Sequence, residues 1–172
     1  RAIVAGDAIL GLPSSGLHTN GFTLARRVLD GRDLTSSVPE LGGSLGEALL
    51  APHRQYYTAL AELWRSGVQI AGMAHITGGG LVDNPPRTLP AGLAARLYRD
   101  RWPVPPLFRL IQRGGNIAPA EMDRVFNMGL GMLLFLPHAA AQQAMRLLGP
   151  DAAFLVGEVV ERGAGPAVLV EP

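Results

Sequence analysis

The sequence contains no cysteine and no lysine. Without cysteine, disulfide scaffolds, thiolate metal sites and cysteine nucleophiles are excluded. All 15 basic residues are arginine, so no side chain offers the amine that Schiff-base chemistry requires. No apolar run approaches the roughly 18 residues that cross a bilayer, and no signal-peptide pattern opens the sequence. We therefore expect a cytoplasmic protein that does not bind membranes.

An excess of charge of either sign is also absent. The 15 basic and 14 acidic residues give a formal net charge of +1, without a basic stripe of the kind that contacts nucleic-acid phosphates. We therefore expect no nucleic-acid partner. A length of 172 residues with 48% hydrophobic residues is sufficient for one packed core. The sequence predicts a single globular domain over residues 1–172.

Apolar runs and helical periodicity alternate irregularly along the chain. Strands are predicted over 7–12, 68–76, 93–98, 130–136, 153–160 and 167–170, the last two as a closing pair. Helices are predicted over 22–29, 45–50, 55–64, 105–112, 120–125 and 139–148, with Thr19 or Asn20 capping the first. Residues 31–46 are expected to form a surface connection. This order favours an α+β fold, an α/β sandwich with a mixed sheet covered by helices.

The first polar segment, residues 14–21, lies between a predicted strand and a predicted helix. It contains Ser14, Ser15, His18 and Asn20. A helix N-terminus with unpaired N–H groups suits a phosphate or another anion. The alternative is that these residues are ordinary helix-capping groups.

The second segment contains His75 and three consecutive glycines, Gly78, Gly79 and Gly80, after a predicted strand. Consecutive glycines let the backbone approach a ligand closely and adopt positive φ. The segment is neither a Walker A sequence nor a dinucleotide-binding G-x-G-x-x-G. His75 is a candidate catalytic residue, and a buried structural histidine is the alternative.

The third segment covers residues 114–132. Asn127 precedes Gly129 and Gly131, which enter a very apolar predicted strand where glycine normally weakens pairing. A bulge or close helix packing explains these glycines, and a substrate-facing strand end is the alternative. The four histidines show no metal-ligand spacing and the carboxylates do not cluster, so we predict no metal site.

Together, three stretches of the sequence resemble one family. They are GDAILGLPSSGLHTNGFTLARRVL, HITGGGLVDNPPRTLP and WPVPPLFRLIQRGGNIAPAEMDRVFNMGLGMLLFLP. In order and spacing they are similar to the C-terminal domain of aminoimidazole ribonucleotide synthetases, also called phosphoribosylformylglycinamidine cyclo-ligases. The resemblance runs from Gly6 to about Val170. It implies that the chain is the C-terminal half of a two-domain synthetase. The N-terminal domain, absent here, would make most of the contacts to ATP and Mg²⁺.

The resemblance implies an activity as well. Enzymes of this family use ATP to close the imidazole ring of a purine precursor, converting formylglycinamidine ribonucleotide to aminoimidazole ribonucleotide through an iminophosphate. They are dimers with the active cleft between the two domains. The ribonucleotide and ATP are therefore the expected ligands, Mg²⁺ is expected mainly on the other domain, and the isolated domain is expected to be inactive.

Residue by residue, the resemblance makes His75 the catalytic candidate, nearest the reacting amide. The residues expected to bind substrate or to line or brace the cleft are Ser14, Ser15, His18, Asn20, Gly78, Gly79, Gly80, Asn116, Glu121 and Asn127. Two other interpretations remain open. One is a non-catalytic nucleotide-binding or interaction module of the same fold, and the other is a sibling enzyme such as thiamine-monophosphate kinase or selenophosphate synthetase.

Overall fold

A computed structural model describes residues 2–172 of the chain. The strands in this range are β1 Ala8–Pro13, β2 Ser37–Val38, β3 Gly43–Ser44, β4 Gly72–His75, β5 Leu93–Tyr98, β6 Leu130–Leu136, β7 Phe154–Glu161 and β8 Val168–Glu171. The α-helices are α1 Phe22–Val28, α2 Leu45–Leu49, α3 Tyr57–Arg65, α4 Gly80–Asp83, α5 Pro106–Gly115, α6 Pro119–Val125 and α7 His138–Leu148.

Six strands form one mixed sheet in the order β4-β6-β1-β7-β5-β8. Neighbouring strands are antiparallel except β5 and β8, which are parallel. The predicted α+β fold with a helix-covered mixed sheet is therefore confirmed. Strands β2 and β3 form a separate small hairpin within the predicted surface connection.

Each face of the sheet packs against helices, because successive side chains of a strand point to opposite faces. In β1, Ile9 packs with residues from α1, α4, α5 and α6, whereas Leu10 packs with residues from α3 and α7. In β6, Phe135 belongs to the first of these clusters and Leu134 to the second. None of these four side chains is exposed to solvent. These two cores hold the central strands β1 and β6 in place. The candidate site lies at one end of these strands.

The structure differs from the predicted strands in two places. The predicted strand 68–76 is reduced to β4 because Val68 closes helix α3: its N–H bonds to the carbonyl of Leu63, and Gly67 before it has φ +70°. This pattern is a Schellman helix end. The last two strands, β7 and β8, do not pair with each other because β5 lies between them.

The predicted cap of the first helix is wrong. Neither Thr19 nor Asn20 caps α1, whose N-cap is Gly21 in the left-handed region with no side-chain hydrogen bond. A Cβ at Gly21 would collide with the ring of Phe126, so helix α1 begins in close contact with the end of α6. Among residues 2–172, no helix has the length and apolar character needed to span a membrane.

Candidate functional site

The polar segments found in the sequence meet at one edge of the sheet. Strands β1 and β4 lie on either side of β6 and both run antiparallel to it. Both therefore end at the edge where β6 begins. Met132 in β6 is opposite Leu12 on one side and His75 on the other. The chain that follows β1 is thus placed beside the end of β4.

Residues 14–20, here called the His18 loop, follow β1 and are held by Asn127. The Asn127 amide donates to the carbonyls of Gly16 (2.8 Å) and Leu17 (3.3 Å). Its Oδ1 accepts from the Ser14 hydroxyl (2.8 Å) and from the Gly129 N–H (2.9 Å). Asn127 is completely buried. Asn127 therefore lies beneath the loop and holds its backbone in place.

His18 is buried inside this loop and adopts an unusual backbone conformation. Its φ is +61° and that of Thr19 is +79°, in a region that costs non-glycine residues about 1–2 kcal/mol each. The His18 Nε2 lies 3.0 Å from both the backbone nitrogen and the hydroxyl of Ser15. Burial lowers the pKa of His18 to about 4, and the nearby His53 and His75 add to the shift. His18 is therefore neutral at pH 7.

Two further histidines lie against His18, on different segments. His53, exposed in the loop before α3, stacks on His18 with ring centroids 4.0 Å apart. His75, exposed at the end of β4, meets the His53 ring edge-on at 5.3 Å. Burial lowers the pKa of His75 as well, with a smaller contribution from His53. Each of the three residues offers a ligand atom, and these atoms all lie within 4.8 Å of one another.

Tyr56 forms the inner wall of this histidine cluster. Its hydroxyl donates to the Pro13 carbonyl at 3.0 Å, and burial raises its pKa. Its ring contacts those of His18 and His75 edge-on, at 6.1 and 6.2 Å between centroids. A Cβ at Gly131 would collide with the Tyr56 hydroxyl, so this strand glycine provides the space for the tyrosine.

The glycine triplet follows β4 and opens helix α4. Gly79 has φ +102° and Gly80 has φ +55°. A Cβ at Gly80 would collide with backbone carbonyls at the end of α6, whereas one at Gly78 would meet only the Asn20 Oδ1, at 4.0 Å. The buried Asn84 holds this turn, donating to the Gly80 carbonyl at 2.8 Å. Gly80 therefore allows α4 to pack closely on the end of α6, whereas Gly78 is exposed and faces the His18 loop.

The structure brings most of the predicted site residues together. Those at the common edge are Ser14, Ser15, His18, Asn20, His75, Gly78, Gly79 and Gly80, with Asn127 beneath them. Asn116 lies elsewhere, as the left-handed C-cap of α5 beside the end of α1. Glu121 is exposed in the first turn of α6 and lines a cavity with Val168 and Val170 of β8. Their roles in binding or catalysis stay predictions.

Sequence reasoning did not single out His53, Tyr56 or Asn84. Histidine spacing along the sequence gives no indication of the cluster, because its members come from three separate segments. Asn84 could have been found, because it lies four residues after Gly80 and asparagine commonly bonds to nearby backbone in turns.

The fold and the glycine-rich edge agree with one protein family. Residues 4–169 match the family model described as AIR synthase related protein, C-terminal domain, and the chain belongs to that family. Among curated proteins, the chain is 48% identical over 164 residues to the phosphoribosylformylglycinamidine cyclo-ligase of Syntrophotalea carbinolica, covering 92% of this chain and 47% of that protein. The cyclo-ligase of Sorangium cellulosum is 45% identical over 172 residues, with 96% and 49% covered. The chain thus spans about half the length of these relatives.

Solved structures share the fold at lower identity. A hydrogenase maturation protein HypE matches with a TM-score of 0.64 and 22% identity, covering 98% of this chain and 50% of that chain. Thiamine monophosphate kinase from Aquifex aeolicus matches with a TM-score of 0.56 and 20% identity, covering 98% and 52%. At these identities the likeness concerns the fold alone.

Proposed function

We propose that this chain is the C-terminal half of an ATP-dependent cyclo-ligase that converts formylglycinamidine ribonucleotide to aminoimidazole ribonucleotide. The observation that carries the proposal is the meeting of the His18 loop, His75 and Gly78 at one sheet edge, in a chain 48% identical to a named cyclo-ligase. The sequence resemblance implies that these segments line the active cleft.

The proposed reaction has two steps. The formyl amide oxygen of the substrate attacks the γ-phosphorus of ATP, an oxygen–phosphorus bond forms, and ADP leaves. The amide nitrogen loses its proton as the C=N bond of the iminophosphate forms. The amidine nitrogen then attacks the formyl carbon, loses its proton, and expels inorganic phosphate as the ring closes. An amide oxygen is a poor leaving group, and phosphorylation makes it a good one. What remains for the protein is to position the two ends of the substrate and to handle charge and protons.

His75 is suited to the proton transfer in this scheme. It is exposed at the edge, and its lowered pKa leaves the imidazole neutral at pH 7. A neutral imidazole can take the proton that the attacking amidine nitrogen loses. The exposed Gly78 and the polar groups of Ser14, Ser15 and Asn20 would orient the ribonucleotide, with Asn127 holding their loop in place.

The residues at this edge do not fit Mg²⁺. That ion requires oxygen ligands in near-octahedral geometry, whereas the side chains gathered around the His18 loop are three imidazoles with hydroxyls and the amides of Asn20 and Asn127. The single carboxylate of Asp83, beside Gly79, does not supply such a set. We therefore assign the Mg²⁺ and most of the ATP contacts to the other half of the enzyme. The complete enzyme is proposed to be a cytoplasmic homodimer, as the resemblance implies.

A chimera tests the proposal. The chain replaces the corresponding half of the Syntrophotalea carbinolica cyclo-ligase, and ATP-dependent formation of aminoimidazole ribonucleotide is measured. We expect product from the chimera and none from the 172-residue chain alone. A folded chimera without activity, together with nucleotide binding by the 172-residue chain alone, would favour the non-catalytic module. Full activity of the isolated chain would contradict the half-enzyme assignment.

A further inference from the structure

We propose that His18, His53 and His75 form a binding site for one divalent transition-metal ion of the zinc class. The three imidazoles come from the loop after β1, the loop before α3 and the end of β4. Three histidines that converge from separate segments are a ligand set found in catalytic zinc sites. The proposed reaction has no use for His53.

The spacing of the nitrogens is close to what an ion requires. The three ligand atoms lie within 4.8 Å of one another. Zinc–nitrogen bonds of about 2.0–2.1 Å in tetrahedral geometry place ligand nitrogens about 3.3 Å apart. The remaining approach, up to about 1.5 Å, falls on His53 and His75, which are exposed. Because the His53 ring is stacked on His18, it must turn out of the stack to direct a lone pair at the same ion.

His18 supplies a second, independent observation. The residue is 3% exposed, and its Nδ1 is buried with no hydrogen-bond partner among residues 2–172. When Nε2 carries the proton, it can donate to the Ser15 hydroxyl at 3.0 Å, which in turn donates to the Pro52 carbonyl at 2.5 Å. Metal-bound histidines are usually oriented by such a bond from the other ring nitrogen.

When the proton of His18 moves from Nδ1 to Nε2, the lone pair of Nδ1 becomes free to bind the ion. This change gives up the bonds that the Ser15 N–H (3.0 Å) and the Arg54 N–H (3.4 Å) make to Nε2 in the other tautomer, a loss of about 1–3 kcal/mol for each N–H left without a partner. A metal–nitrogen bond at a position that otherwise leaves a buried polar atom without a partner outweighs that loss.

The chemistry of the three ligands selects the ion. Neutral imidazoles without carboxylates favour Zn²⁺, Co²⁺, Ni²⁺ or Cu²⁺ over Mg²⁺ and Ca²⁺. Three protein ligands leave a fourth position for water or substrate, on the exposed side of His53 and His75. If the proposed function holds, the ion would engage the imidazole that takes the proton, and zinc would inhibit ring closure.

Metal titration of the 172-residue chain tests the site directly. Zn²⁺ binding is followed by calorimetry, and Co²⁺ binding by its visible absorption bands, without ATP or substrate. We expect one ion per chain and weakening by about 100-fold in His53→Asn. The matched control is His138→Asn, which removes the exposed histidine at the start of α7 and leaves binding unchanged. Excess Mg²⁺ should not displace the ion.

Equal binding by the wild type and His53→Asn, or no Zn²⁺ binding in the micromolar range, would overturn the inference. Far-UV circular dichroism establishes that each variant is folded, and His75→Asn provides a second exposed ligand variant should His53→Asn fail to fold. The titration measures binding and not ring closure, so its failure would leave the proposed function standing. An inactive chimera would likewise leave the metal site standing.

Discussion

The imidazole ring of His53 stacks on that of His18, with centroids 4.0 Å apart and planes 20° from parallel. One ring is exposed and the other is buried, so the pair joins solvent to the interior of the His18 loop. Neither the spacing of the two residues nor their neighbours in the sequence indicates this contact.

The burial of His18 predicts acid sensitivity. The folded-state pKa of about 4 lies below the ordinary value of 6.5, so the unfolded chain binds a proton that the folded chain rejects. This contribution to the unfolding free energy is complete above pH 6.5 and is lost as the pH falls towards 4. It is worth roughly 3 kcal/mol at most.

Urea denaturation between pH 7 and pH 4.5, in EDTA, measures this effect. The control is His18→Asn, which tolerates the left-handed backbone and has no imidazole to titrate. The variant should lose less stability over this pH range than the wild type does. Parallel pH profiles for the two proteins would show that His18 titrates normally.

The brace under the His18 loop predicts a large stability effect. Asn127→Ala removes the partner of two backbone carbonyls, one N–H and one hydroxyl in a fully buried place. We expect a loss of about 2–4 kcal/mol in unfolding free energy, measured by urea denaturation. Asn116→Gly is the control, because glycine suits a left-handed C-cap and should leave stability within about 0.5 kcal/mol. Similar values for the two variants would contradict the bracing role.

The glycine triplet predicts unequal tolerance at neighbouring positions. Gly80→Ala introduces a Cβ at φ +55° against backbone carbonyls and should cost about 3 kcal/mol or more. Gly78→Ala meets no close atom and should fold within about 0.5 kcal/mol of the wild type. Thermal melting of the two variants distinguishes them. Equal losses would mean that the packing of α4 on α6 does not require glycine.

Much of the fold could be predicted from local pattern. The strands β5 and β6 begin and end as predicted, because β5 shows strand alternation and β6 is a single apolar run. The hairpin of β2 and β3 was not predicted, since two-residue strands have no periodicity. The position of β5 between β7 and β8 depends on pairing between distant segments, which local pattern does not encode.

The residues of the candidate site were also predicted only in part. His75 and the glycine triplet were predicted because glycine runs after a strand are rare and have few uses. His53 was not, since an isolated histidine in a loop has no local signature. Asn116 was placed with the site because it lies in a motif that resembles the family, yet its backbone shows a helix cap at the far end of α1. A motif in sequence mixes residues that contact a ligand with residues that hold the fold.

The action of His75 in the cleft of the complete enzyme is tested most directly by the turnover of the chimera with His75→Asn. If His75 acts on the reacting amide, kcat for aminoimidazole ribonucleotide formation should fall by at least about tenfold. His138→Asn in the same chimera should leave kcat unchanged. Near-normal kcat in folded His75→Asn protein would contradict the account and reduce His75 to a structural residue at the edge of the sheet.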